Sequence, residues 1–517
     1  MRSSAMVGLG TGLSRMTGFL RLLAMSWAIG QNRFSDGYNL ANNTPNIIYD
    51  LILGGVLSAT LVPVFVDHLH DDDDEATNAV VTVAASAMVA ITVLALLAAP
   101  LIIRLYTLSA DSTDHYRSVS TDLLRWFVPQ ILFYGLTALA TALLNARRHF
   151  TTPAFAPIIN NLLVTALFFA LPTINHGRVP TLDDMAKSPG LLALVGIGTT
   201  TGVIMMTVIL WPALRRSGVR LKWRFQLKHP AVKKVFRLSV WTFGYVLSNQ
   251  IALAIILILA GRKAAWVSAY NSAYIFFMLP HGLFAVTIMT TFTPDMAALT
   301  RSGDRAGLRN RMSLGIRMMT LVVLPASVGY VVLAKPIALT VLKHRALLTN
   351  EALVTAEVLQ AFAIGLVGFC IYIFAMRVLY AMMNTRLPFY VNLFESILQV
   401  ILAVLFVDRW GVVGLAYAFS AAYTIGAVVA LRVVYGKVVQ RNGQAIVTSL
   451  ARMLAASVVM AGALVVVVRK VGSDSFSGSL ARTVAGVCVG VPVYIGALAF
   501  VRSTELTELV GRFRRNR

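Results

Sequence analysis

Four polar side chains, Asn39, Asn43, Asn46 and Asp50, recur at spacings of four, three and four within YNLANNTPNIIYDLILGG. On a helix that spacing aligns them as one continuous stripe. Their neighbours are mostly apolar, and a stripe turned toward hydrocarbon would leave amides and a carboxylate unmet, so it must line water, a polar ligand or another helix. Pro45 inside the stripe frees a backbone carbonyl that can also coordinate, and Asp36 stands at the mouth of the same segment. Upstream, GLGTGLSRMTGFLR places Arg15 and Arg21 six residues apart, about 120° apart around a straight helix. Gly8, Gly10, Gly12 and Gly18 permit bending or close helix contact. Two guanidinium groups at one cavity suit a phosphate or pyrophosphate, which arginine grips bidentately. The competing reading pairs Arg15 with an internal acid and lets Arg21 snorkel to a surface. Arg125 and Arg377 lie at similar depth in other apolar runs.

A second polar face joins Asn392, Glu395 and Gln399, and Ser248, Asn249, Gln250, Ser420 and Thr424 offer further oxygens and amides. A carboxylate among such groups can hold a sodium ion or a proton, which makes Asn249, Asn392, Glu395 and Thr424 the candidate cation-coupling set. A neutral, hydrogen-bonded Glu395 is the equal alternative. Enzyme motifs are absent: there is no Walker loop, no catalytic group and no metal site. Cys370 and Cys488 lack metal-ligand spacing and read as packing or lipid-facing residues. His149, His281 and His344 stand alone near loops and read as solvated, and His68 and His70 beside Asp71–Asp74 read as part of a solvated acidic loop.

The elements that must carry these residues follow from composition. Hydrophobic residues make up 57% of 517 positions and charged residues 13%, against about a quarter charged in a soluble domain; the mean hydropathy is +0.74. A bilayer core about 30 Å thick needs about 20 apolar residues per helix. Such runs fall near 5–30, 40–66, 78–103, 121–145, 154–172, 190–212, 237–260, 264–292, 312–333, 353–383, 388–407, 411–435, 446–468 and 480–501. The fold class is therefore an all-α integral membrane protein of about fourteen transmembrane helices, two pseudo-symmetric six-helix bundles plus two C-terminal helices. The expected division is an N-terminal lobe over 1–213, a basic cytoplasmic linker over 214–236, a C-terminal lobe over 237–438, and two additional helices with a basic tail over 439–517. Corresponding prolines support the repeat: Pro45 and Val62-Pro63 in the second span against Pro280 and Thr293-Pro294 in the eighth, and Asn145 to Pro153 after the fourth against Asn384 to Pro388 after the tenth. The formal charge of +23 sits mostly in short loops, where it sets topology and meets anionic headgroups rather than nucleic acid. Lys and Arg are about twice as abundant on the side that holds both termini, which makes the termini cytoplasmic. Arg15 and Arg21 in the first apolar run argue against a cleavable signal peptide.

Three stretches resemble the MurJ/MviN lipid II flippases of the MOP exporter superfamily: SRMTGFLR at 14–21, LNARRHFTTPAFAPIINN at 144–161 and RVLYAMMNTRLP at 377–388. The resemblance extends to the six-plus-six-plus-two layout over essentially the whole chain. It implies a V-shaped pair of bundles around a cationic cavity in a bacterial cytoplasmic membrane, working by alternating access on an undecaprenyl-pyrophosphate-linked peptidoglycan precursor. Arg15 and Arg21 would be cavity arginines, Asp36 would match an acid at the start of the second span, and Arg377 the arginine of the third motif. With the stripe residues these form the candidate substrate-binding set. The resemblance also implies a sodium site on the seventh, eleventh and twelfth spans, and a groove for the lipid tail on the last two. Family charges are replaced here by Leu22, Tyr49, Gly54 and Ile275. The expected function is a lipid II flippase, not an enzyme, with sodium or proton coupling and cell-wall synthesis or division proteins as candidate partners. The alternatives are a flippase of another polyprenyl-linked glycan, a cation-coupled small-molecule exporter and a non-transporting scaffold for cell-wall enzymes.

Overall fold

A computed structural model describes residues 2–51, 65, 74–108, 113–219, 221–343, 349–437, 444–501 and 505. Val62, Pro63, Gly54, His68, His70, Asp71–Asp73, His344 and the basic tail after 505 lie outside the described residues. Among those described, the chain is helical throughout, and eleven helices are long and apolar enough to cross a membrane. It divides into two compact units that meet in sequence at Ser268 and Ala269.

The first unit begins with α1 (Arg2–Ile29) and α2 (Arg33–Tyr49), then α3 (Asp74–Tyr106), and α4 (Asp114–Phe127) with α5 (Gln130–Ala146) as one span bent at Pro129. α6 (Thr151–Ile174), the short α7 (Leu182–Lys187), α8 (Pro189–Val208), α9 (Leu210–Arg216) and α10 (Pro230–Ala260) complete it. α11 (Trp266–Pro280) starts in the first unit and carries the chain into the second. There it continues through one π-helical turn, His281–Ala285, into α12 (Val286–Arg301). α13 (Arg305–Val341), α14 (Thr349–Ala381), α15 (Arg386–Lys437), α16 (Gln444–Lys470) and α17 (Phe476–Phe500) follow. Gly411, with φ 59°, breaks α15 into two helices at the place where two adjacent spans are expected.

Outward faces are apolar because lipid is the solvent: Leu94, Leu97, Val458 and Val487 are exposed without penalty. In the first unit α1 packs along α6, and α10 along α3. Gly10 lets α1 approach Phe155 so closely that a Cβ would sit 2.8 Å from its ring, whereas Gly8 and Gly12 face open space. In the second unit α14 packs on α15, with Gly365 and Gly368 set against Ser420 and Thr424. α16 and α17 dock on α13 through Leu321, Leu333, Met460, Leu464 and Leu498, and Tyr494 Oη donates to the Leu321 carbonyl at 2.9 Å.

Each unit also contains the same helix exit. After α5, His149 N donates to Leu144 O at 2.8 Å and Arg148 takes φ 61°; after α14, Asn384 N donates to Leu379 O at 3.2 Å and Met383 takes φ 56°. Both are left-handed C-terminal turns closed by a long backbone bond, at the two places where the prolines suggested a repeat.

Candidate functional site

The mouth of α2 is committed to internal bonding. Asn32 caps the helix and exchanges bonds with Ser35 in a capping box. One turn on, Asp36 is fully buried and accepts three bonds: Ala265 N at 2.7 Å, Ser268 N at 2.9 Å and Ser268 Oγ at 2.7 Å. Those two amides belong to the start of α11, where backbone donors have no partner within the helix. A carboxylate is the natural cap there, and it sustains Ala265 at φ 69°. Ser268 Oγ also lies 2.8 Å from Ser35 Oγ and accepts from Asn39 Nδ2 at 3.2 Å. Arg33 Nη1 donates to Gly261 O at 2.9 Å and its guanidinium lies over Tyr116. Asp36 and Asn39, grouped by spacing with the rest of the stripe, therefore tie α2 to residues 261–268.

Further along, the stripe opens. Asn43 is half-buried and has no hydrogen-bond partner among the described residues. Asn46 Nδ2 donates to Asn42 O at 3.0 Å and lies within bonding reach of Tyr134 on α5, which also feels the charges of Arg21 and Asp50. Tyr134 stacks near Tyr49, ring centroids 5.6 Å apart, and Asp50 Oδ2 accepts from Gln250 Nε2 at 3.3 Å. Helices α1, α2, α5 and α10 thus converge on Arg21, Asn46, Asp50, Tyr134 and Gln250. Arg15 and Arg21 are both half-buried, with no hydrogen bond or ion pair among the described residues. Asn161 on α6 donates to Ser14 O at 3.1 Å and Thr17 Oγ1 at 3.2 Å, which fixes the rotation of α1 between the two arginines. Tyr134 and Asn161 carry no spacing signal, because their partners lie on other helices.

In the second unit Arg377 is half-buried and unpaired among the described residues. Asn392 Oδ1 accepts from Tyr372 Oη at 3.0 Å. Glu395 is fully buried, and neither carboxylate oxygen has a hydrogen-bond partner among the described residues, so the hydrogen-bonded alternative does not describe it. Gly426 and Tyr372 pack around its side chain. Ser420 Oγ donates to Ala361 O and Thr424 Oγ1 to Ser420 O, both at 2.6 Å. Asn249 lies on α10, in the first unit.

Some residues sit differently from their sequence reading. His281 is not solvated: it is buried inside a continuous helix, with Nδ1 3.4 Å from Cys370 Sγ. The helix runs on past Pro280 through a π turn that includes the histidine. His149 is exposed. Arg125 is exposed and pairs with Asp122 at 3.1 Å, one turn away. Glu75, the end of the acidic run, is not merely solvated but pairs with Arg224 at 2.6 Å. Of the replaced family charges, Leu22 is buried, Tyr49 joins the cluster around Tyr134, and Ile275 is exposed.

Two helical units with eleven candidate membrane spans, polar stripes and half-buried arginines that make no ion pair among the described residues define a multi-pass membrane protein. The model of the family described as "Lipid II flippase MurJ" matches residues 25–486, and the chain belongs to that family. It is 26% identical over 517 residues to a probable lipid II flippase MurJ of Rhizobium tropici, covering 97% of this chain and 94% of the relative. It is also 26% identical over 438 residues to that of Haemophilus influenzae, covering 80% of this chain and 82% of the relative. The fold matches a solved lipid II flippase MurJ in an inward closed conformation with a TM-score of 0.79 at 21% identity, over 96% of this chain and 98% of the other. An inward-facing MATE family multidrug transporter of the MOP superfamily matches at 0.67 and 14% identity, over 82% and 94%.

Proposed function

We propose that this protein translocates lipid II, an undecaprenyl-pyrophosphate-linked peptidoglycan precursor, across the cytoplasmic membrane by alternating access, with both termini cytoplasmic. The observation that carries the reading is the pair Arg15 and Arg21. Both are half-buried on α1, and neither makes an ion pair among the described residues; a guanidinium held out of water with no counter-charge in contact is costly. A pyrophosphate supplies that counter-charge in bidentate form. Asn43, Asn46 and the Tyr134 hydroxyl offer neutral bonds beside Arg21, suited to sugar hydroxyls. A cation-coupled small-molecule exporter would instead rely more on intramembrane acids than on arginines.

Coupling to a cation is part of the proposal. Glu395, buried without a donor, is stable only if neutralised by a proton or accompanied by a cation such as sodium. Asn392 stands one helical turn before it, and Gly426, two residues after Thr424, packs against its side chain.

The test is complementation. A host depleted of its own lipid II flippase is expected to grow when given the intact chain and to fail when given Arg15→Ala, with equal membrane levels of both. Rescue by Arg15→Ala would overturn the assignment of the arginine pair to the substrate.

A further inference from the structure

The stretch that leaves α9 carries a surface that transport does not use. Residues 221–226 run extended along the start of α3. Lys222 N donates to Asn78 Oδ1 at 2.8 Å, Arg224 N to Thr82 Oγ1 at 3.0 Å, and Gln226 Nε2 to Glu75 Oε1 at 3.1 Å, beside the Arg224–Glu75 pair. Side chains alternate in direction along an extended chain. Holding Arg224 and Gln226 on Glu75 therefore turns the intervening residues outward. Trp223 is 71% exposed and Phe225 56%, flanked by exposed Leu221 and Leu227. Four large apolar side chains on one side, with Lys222, Arg224 and Gln226 between them, would be costly in water.

Next to this stripe is a cavity of about 360 Å³ lined by Trp211, Leu214, Arg215, Val219 and Leu221. The Arg215 guanidinium lies over the Trp211 ring at 5.2 Å, and Arg147 closes the turn by donating to Ser217 O. The cavity continues the lipid-facing side of the span Pro189–Arg216, where Val208, Ile209 and Trp211 are exposed. It therefore lies where that span leaves the hydrocarbon.

We propose that this edge is a binding site for an acidic phospholipid. The stripe Leu221, Trp223, Phe225 and Leu227 enters the boundary between headgroups and acyl chains. The cavity takes the upper part of one acyl chain, and Arg215 and Arg216 hold the phosphate. Aromatic and leucine side chains with interleaved basic residues match that boundary. The excess of basic over acidic side chains at this edge selects anionic headgroups. A protein partner would have to leave the end of a membrane-spanning helix uncovered by lipid to reach the same cavity.

The test uses the full chain in nanodiscs, in a Cys488→Ser background, with an environment-sensitive fluorophore on single cysteines at 222, 223, 225, 226 and 227. The nanodiscs contain phosphatidylcholine alone or mixed with phosphatidylglycerol, and a lipid with a shallow nitroxide is the quencher. Each labelled protein is first checked for monodisperse elution. The expected result is loss of emission at 223, 225 and 227 but not at 222 and 226, in the mixed membrane only. Arg215→Glu with Arg216→Glu should abolish it, and Arg215→Lys should keep it. Uniformly weak quenching in both membranes would overturn the proposal and leave the stripe facing water or a protein. Equal quenching with and without phosphatidylglycerol would overturn the acidic-lipid site.

Discussion

Replacing Asp36 separates a structural clamp from a substrate contact. Its carboxylate accepts from Ala265 N, Ser268 N and Ser268 Oγ, all within 2.9 Å, in a fully buried position. Asp36→Ala strips all three and strands two backbone donors that have no intrahelical acceptor. An unmet buried donor costs about 1–3 kcal/mol, and the hydroxyl can turn to Ser35, so the expected loss is about 3–5 kcal/mol. For a unit of this size that corresponds to an apparent Tm about 5–10 °C lower, read from intrinsic fluorescence of the purified protein. Asp36→Asn keeps one acceptor oxygen but turns an NH2 toward donors, and about half the loss is expected. Ser268→Ala removes one partner and should combine with Asp36→Ala less than additively. Transport should track folded protein in all three variants. An Asp36→Ala protein that melts normally but transports nothing would refute the clamp and return Asp36 to the substrate-binding set.

Arg21→Ala should lower the rate of lipid II exposure in reconstituted vesicles about 30- to 100-fold, the loss of one charge-assisted contact, whereas Arg125→Ala, which breaks only an exposed pair with Asp122, should stay within about twofold. Glu505 is buried against Arg317 at 2.8 Å and Ser449 Oγ at 2.6 Å; Glu505→Gln should cost about 3–5 kcal/mol locally and speed proteolysis of the C-terminal tail. Asp474, in the turn joining α16 to α17, accepts from Arg482 and Lys335, which hold its carboxyl below the ordinary carboxylate range. Its contribution is thus present above the unfolded-state value of about 3.9 and lost as pH falls through the lower folded value. Asp474→Asn should flatten the pH dependence of amide exchange in that turn below about pH 4, by a small amount because the pair is exposed. Gly365→Ala would place a Cβ 2.5 Å from the Ser420 Cα, forcing α14 and α15 apart at about 1–3 kcal/mol; Gly8→Ala, with nothing within 4 Å, should leave melting unchanged or slightly raised.

The spans were legible because a bilayer fixes their length: the run placed at 446–468 is the helix Gln444–Lys470, and that at 190–212 lies within Pro189–Arg216. The boundary expected between 388–407 and 411–435 falls at Gly411, whose φ of 59° breaks the helix. What escaped depends on partners supplied by other helices. Tyr134 has no periodic companion on α5, and its meaning comes from Arg21, Asn46 and Asp50. His281 was read as solvated although the span 264–292 already enclosed it; its burial comes from Cys370 and Phe369 on α14, partners that nothing local in the sequence announces. The matching exits after α5 and α14 place Arg148 and Met383, not glycine, in the left-handed region. The strongest turn signal was therefore absent, and only the following prolines hinted at the repeat.

The stripe on α2 shows most clearly why spacing alone could not divide structure from site. Periodicity reports which residues share a face, and Asp36, Asn39, Asn43, Asn46 and Asp50 do share one. What lies opposite changes every turn. Opposite the first turns lie the amides of Ala265 and Ser268, met by the Asp36 carboxylate, and the Ser268 hydroxyl, which accepts from Asn39. Opposite the later turns lie Tyr134 and Gln250, which leave bonding capacity over and keep Arg21 close. A buried donor array must be met for the unit to fold, whereas half-met groups beside an unpaired arginine are affordable only if something else completes them during the transport cycle. On that argument the stripe divides between Asn39 and Asn43. Changes on the first side should lower the amount of folded protein, and changes on the second should lower transport per folded molecule. A scan of the five positions scored for both quantities would show no such division if the whole stripe served one role.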